Sequence, residues 1–195
     1  MSKPKSTSEK LIIRSNNWRA LGLHFALSVA GILAFIVVQP ILSLVLRLAN
    51  MVVEPLWLEY VYFLVPVIGG SFVYVACGYL FLKSTEEKSY LSVSWLALLT
   101  TFVGTMFGIV HTILGFPLFE GPGIFEIAGL LVVLFNTLGF GVIALFLTEG
   151  NLPDSALSLL LVLFASLFPS ALLYLGLRLR IRRKGKQEFE KGEIA

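Results

Sequence analysis

Residues Gly22 to Leu46 form an apolar run of twenty-five residues with one His, one Gln and no formal charge. At about 1.5 Å per residue, a helix of that length crosses a hydrocarbon layer of about 30 Å. Four further runs follow, at approximately 60–82, 91–115, 124–147 and 155–177. The expectation is an all-α polytopic transmembrane helical bundle with five apolar helical runs. It forms one integral membrane domain, 1–195, that ends in a basic cytoplasmic tail, 178–195. The basic leader ahead of the first run fits a signal peptide, but the run exceeds an h-region of about 7–15 residues, so it is expected to be retained.

Charge distribution supports this class. Only 14% of the residues are charged, against about 25% in a soluble domain. Fourteen of the fifteen Lys and Arg lie before the first run, in the 83–90 loop or after the last run. A basic chain of this kind is expected to meet anionic lipid headgroups, at Arg178 to Lys186 above all, rather than nucleic acid. Each Lys or Arg near the surface contributes about 1 kcal/mol to such attraction. The single cysteine, Cys77, lies within a run and excludes an intrachain disulfide. Compactness and the absence of Asn-x-Ser/Thr sequons point to a bacterial cytoplasmic membrane.

The same charges constrain topology. Cytoplasmic flanks carry the excess of Lys and Arg, and five such residues precede the first run while seven follow the last. Both termini are therefore expected in the cytoplasm, which requires an even number of crossings. Five full crossings would leave no bias. If one of the last three runs fails to cross, fourteen basic residues fall inside and one, Arg47, outside. A non-crossing first run also restores the bias. One run is thus expected to be re-entrant or broken, with Gln39-Pro40 and Pro169 marking candidates; five plain crossings are the alternative.

Small residues mark packing faces. Gly22, Ala26, Ala30 and Ala34 recur at every fourth position of the first run, and Gly104 and Gly108 form a GxxxG in the third. Small side chains let helix backbones approach closely in lipid, where packing drives association. Leu11 to Arg19 alternates apolar and basic groups and is either an interfacial helix or an extension of the first span.

Polar groups inside or beside spans are the candidate ligand-binding residues. Asn136 lies in the middle of the fourth run and either bonds a neighbouring helix or lines a cavity. Glu54, Glu59, Glu120 and Glu126 fall in or beside the first and third linkers, which share a side whenever runs two and three both cross. They form either a cation-attracting acidic rim or a solvated face. His111 lies near the far end of the third run and is expected beside the Gly104–Gly108 face. His24, a few residues into the first run, is expected as an interfacial side chain. With every run crossing, these two histidines lie near opposite surfaces, which disfavours a shared haem or metal.

No HExxH, GxSxG, Walker or CxxC motif occurs. No catalytic, cofactor or metal residue is assigned, and an enzyme is the weaker class. Three functions stand as expectations. The first is a transport-related component binding a small molecule or cation within the bundle. The second is a non-transporting interaction protein (immunity, assembly or regulatory factor) that pairs with a partner membrane protein or a second copy. The third is an intramembrane lipid-acting enzyme using Glu120, Glu126 and His111.

Overall fold

The computed structural model describes residues 5–49, 55–83, 89–114, 135–144 and 156–192. These residues are 97% helical without a strand, an all-α helical bundle. In chain order they form α1 (Lys5–Ala49), α2 (Pro55–Phe81), a 3-10 turn (Ser89–Val93), α3 (Ser94–Leu114), α4 (Thr137–Ala144) and α5 (Ala156–Gly192). Four of these helices are long and apolar enough to cross a membrane, with apolar windows at Ser8–Val38, Leu64–Phe81, Ser89–Met106 and Leu160–Gln187.

The residue distribution is that of a membrane protein. Phe72 and Leu98 face outward at 72% and 70% exposure, whereas Asn16 and Asn17 are buried at 0% and 1%. Water would reverse that arrangement; lipid tails, as apolar as leucine, leave polar groups to pair inside. The interior carries Ala20, Tyr74, Leu82, Val93, Leu96, Leu138, Leu173 and Leu177 in one cluster. α5 is the central helix and packs on α2, α3 and α4. Glycines set its closest approaches. A Cβ built on Gly78 would land on the Leu173 carbonyl oxygen, and one on Gly176 would land on that of Val75. A Cβ on Gly104 would meet the Ser166 hydroxyl, which places Gly104 at the α3–α5 crossing. Gly108 lies in α3, and its packing is outside the described residues.

One end of the bundle is a polar rim held by α1 and α5. Asn16 donates to the Lys83 carbonyl at 2.8 Å and to Ser92 Oγ at 3.1 Å, and accepts from the Lys83 amide at 2.9 Å. Asn17 donates to the carbonyls of Ile13 and Leu91 and accepts from the Trp95 amide at 2.8 Å, capping the first turn of α3 from another helix. Arg19 donates to the Phe81 carbonyl, and Arg180 to those of Leu80 and Leu82. These guanidinium groups satisfy the carbonyls that the end of α2 leaves without helical partners. Arg183 donates to the Tyr79 hydroxyl, and Trp18 meets Trp95 edge-on at 5.6 Å. The rim therefore collects residues 16–19 of α1, the C-terminal end of α2, the start of α3 and residues 180–183 of α5. From it α1 and α3 run away, and α2 and α5 run back.

Several expectations change. α1 begins at Lys5, so Leu11 to Arg19 extends the first span rather than forming a separate helix. Pro40 and Pro169 sit inside continuous helices and do not break their runs. Proline in a membrane helix is tolerated where neighbouring groups re-satisfy the freed backbone. The interruption falls instead in the fourth run: Asn136 is non-helical, and α4 starts at Thr137.

Candidate functional site

The described part of the fourth run begins inside the bundle. Asn136 caps α4: its Oδ1 accepts from the Gly139 amide at 3.0 Å, the spacing of an N-cap to the third helical residue. Its Nδ2 reaches the Ala165 carbonyl on α5 at 3.5 Å, the limit of a hydrogen bond. Asparagine suits this position because its short side chain turns back onto the backbone and competes with helix continuation.

The depth of the cap follows from its neighbours. Ser28 Oγ donates to the Phe135 carbonyl at 3.0 Å, and Thr137 Oγ1 donates to the Ser28 carbonyl at 3.1 Å. Ser28 lies twelve residues along α1 from Asn16, about 18 Å of helix. On α5, Ala165 lies fifteen residues before Arg180, about 22 Å. The cap is thus near mid-depth. From there α4 runs away from the rim: Leu138 packs at Gly70, and the later Gly141 at Val67, farther from the rim on α2. Val142 packs with Val67 and Ala165.

His24 completes the cluster one turn toward the rim from Ser28. Its Nδ1 is 2.9 Å from the Tyr74 hydroxyl of α2, and its ring lies edge-on to Phe135 at 5.3 Å between centroids. The side chain is buried at 1% exposure, and Nε2 has no hydrogen-bond partner. A buried polar atom left unpaired costs about 1–3 kcal/mol.

The sequence-derived candidates distribute unevenly over this site. Asn136 is in it, as the cap of α4. Glu54, Glu120 and Glu126 lie outside the described residues; Glu59 belongs to α2 and His111 to α3, with side-chain surroundings likewise outside them. His24 is not an interfacial side chain, as expected, but the buried centre of the cluster. Gly22, Ala26, Ala30 and Ala34 are exposed, and a Cβ on Gly22 would meet nothing within 4 Å. Nothing within the described chain packs on that face. The buried face of α1 is instead Asn16, Ala20, His24 and Ser28. It has the same four-residue spacing shifted by two positions, about 200° around a helix. Tyr74, Ser28, Asn16 and Asn17 were not singled out from the sequence, although the polar stripe on α1 was there to be read.

Among the described residues no three His, Cys, Asp or Glu come together as a metal site. The chemistry available is hydrogen bonding from an imidazole, an amide and hydroxyls at mid-depth. No family model, curated protein or solved structure matches the chain.

Proposed function

We propose that the chain is a transport-related membrane component that binds a small molecule or ion within its bundle. One observation carries this reading: a helix restarts at Asn136 near mid-depth, among four helices able to span the membrane. Interrupted helices at the bilayer midplane supply polar backbone where a substrate is held, and non-helical backbone is tolerated there only when protein or water covers it. The rim supports the matching topology. α1, α2, α3 and α5 are four crossings, and the described part of the fourth run, α4, heads away from the rim. Both termini then lie with fourteen of the fifteen Lys and Arg, in the cytoplasm of a bacterial cell by the positive-inside rule. Arg178 and Arg182 are exposed on this side and are assigned to anionic headgroups. Reporters active only in the cytoplasm, fused separately to each terminus, are expected to be active in both fusions. Activity at one end alone would sink the four-crossing topology.

Function is tested by ligand stabilisation of the purified protein in detergent, against a panel of small carboxylates, amines, sugars and metal cations. At least one compound is expected to raise the melting temperature. Asn136→Ala is expected to lower stability by about 1 kcal/mol through loss of the cap and to abolish the ligand-induced shift. A panel without any stabilising member would refute the reading.

A second reading, a non-transporting interaction protein, is favoured by the exposed Gly22, Ala26, Ala30 and Ala34 face. Gly22→Leu is expected to change the stability of the isolated chain by no more than about 0.5 kcal/mol, because open space surrounds the glycine. Under this second reading the same substitution removes a co-purifying partner or second copy; a purification profile unchanged by Gly22→Leu removes its support.

A further inference from the structure

We propose that the ligand of the His24–Asn136 site is a carboxylate, taken up together with one proton that resides on His24 Nε2. This rests on the proposed binding role and narrows it to a substrate class.

The argument starts from what each polar group at the site already does. Each of the acceptors already takes a hydrogen bond: the Phe135 carbonyl takes the Ser28 hydroxyl, the Ser28 carbonyl takes Thr137 Oγ1, Asn136 Oδ1 takes the Gly139 amide, and the Ala165 carbonyl faces Asn136 Nδ2. Nε2 of a neutral His24 donates or accepts according to the tautomer, whereas that of a protonated His24 can only donate. His24 Nε2 has no partner although the side chain is 1% exposed, and Asn136 Nδ2 is held only at 3.5 Å. The N-terminal end of α4 adds its partial positive charge on the same side, since Phe135, against which the imidazole lies, leads into the cap. A set of donors around a helix start calls for an oxyanion.

Charge balance supplies the proton. No Asp, Glu, Lys or Arg occurs between Arg19 and Arg47, in 60–82, in 137–144 or in 156–177. An anion arriving at mid-depth therefore meets no fixed countercharge on these segments, and burying it alone is costly. Protonated His24 provides that charge. Its Nδ1–H then donates to the Tyr74 hydroxyl oxygen, and its Nε2–H donates to the carboxylate. The proton comes from water or buffer acid in solution, which is left as its conjugate base, and forms the second N–H bond of His24; no other covalent bond changes. The titratable groups around the buried face of α1 are Tyr74 and, in the surrounding cluster, Cys77 on α2 and Tyr174 on α5. α4 and the Phe135–Thr137 turn contribute none.

The test uses the full chain in detergent with acetate and decanoate as carboxylate probes and the matching alkyl amines and alcohols as controls. Carboxylate affinity is expected to rise about tenfold for each unit of falling pH above the imidazole range, with one proton taken up per carboxylate bound. Uptake is read on the unaltered chain as alkalinisation of a weakly buffered solution, so the test does not depend on a variant that folds. Where His24→Gln folds, it is expected to weaken carboxylate binding at least tenfold and to remove the pH dependence. Histidine nitrogen NMR, simplified by the presence of two histidines, is expected to show one imidazole becoming imidazolium on binding, the one missing in His24→Gln. Preference for acetate identifies a water-soluble acid and preference for decanoate a membrane-borne one; either supports the proposal. Binding of the amine or the alcohol in place of the carboxylate, lost in Asn136→Ala, overturns the carboxylate while leaving a binding role intact. Carboxylate binding without proton uptake overturns the coupling to His24. Binding of none of the probes overturns this proposal, and only failure of the wider ligand panel overturns the binding role as well.

Discussion

Gly176→Leu is expected to separate α5 from α2 and to cost more than any other single substitution in the bundle. The reason is what its side chain would meet. A Cβ at Gly176 lands on the Val75 carbonyl oxygen, with the Tyr79 amide nitrogen 2.7 Å away and the Gly78 carbonyl carbon 3.0 Å away. All three are backbone atoms of a helix, so no rotamer change relieves the clash. The facing Gly78 meets Leu173 backbone in the same way, so both helices present glycine at one crossing. Overpacking a core costs about 1–3 kcal/mol where side chains yield; against backbone the cost is expected at about 3 kcal/mol or above. Gly176→Ala is expected to show most of that loss in thermal unfolding in detergent. Gly185→Ala, in the same helix but with nothing within 4 Å, is expected to be neutral or to gain up to about 1 kcal/mol from helix propensity. Equal melting temperatures for the two alanine variants would contradict the crossing. Gly78→Ala combined with Gly176→Ala is expected to cost less than the sum, because the first clash already separates the helices that the second would push apart.

The second large effect is expected at the rim. Asn16→Leu keeps the approximate volume and removes three hydrogen bonds. It strands the amide and carbonyl of Lys83 and the hydroxyl of Ser92. Each stranded buried group costs about 1–3 kcal/mol, less where water reaches it; Lys83 is exposed and its two bonds are only partly buried. A total of about 2–4 kcal/mol is expected. Asn17→Leu removes a further three and leaves the first turn of α3 without its acceptor from α1. Hydrogen exchange separates the two: the Lys83 amide is expected to lose protection in Asn16→Leu, and the Trp95 amide in Asn17→Leu. Retained protection of both amides would mean that the asparagines are not what holds the hairpin of α2 and α3 to α1.

The runs at 60–82, 91–115 and 155–177 were legible because a helix facing lipid must be apolar over its whole length, and α2, α3 and α5 cover all but a few of their end residues. The interruption at Asn136 was not, because an interrupted run is as apolar as a continuous one. The count of Lys and Arg on the two sides led to the expectation of one re-entrant or broken run without locating it. Proline drew attention to Gln39-Pro40 and Pro169, yet in lipid a missing backbone donor does not by itself end a helix. His24 was misplaced for a geometric reason. Depth was counted from where the uncharged run begins, but α1 starts seventeen residues before Gly22, and its polar rim residues Asn16 and Asn17 already lie inside the bundle. The stripe Asn16, Ala20, His24, Ser28 and the stripe Gly22, Ala26, Ala30, Ala34 have the same period. Composition favours the second as a packing face, whereas the unmet hydrogen bonds of the first decide which one turns inward.

The order in which bonding partners leave the ribosome follows from the rim. Asn16 and Asn17 are synthesised long before Lys83, Leu91, Ser92 and Trp95, the groups they bind. During that interval α1 stands in the bilayer with two amides waiting, and the headgroup layer is where water can serve them meanwhile. His24 waits for Tyr74, and Ser28 for Phe135, farther from water. A serine hydroxyl bridges such a delay by bonding back to its own helix, an option that an imidazole lacks. His24 is therefore the group whose early insertion leans most on what is made next, and α2 delivers Tyr74 before any other long-range partner of the buried face arrives.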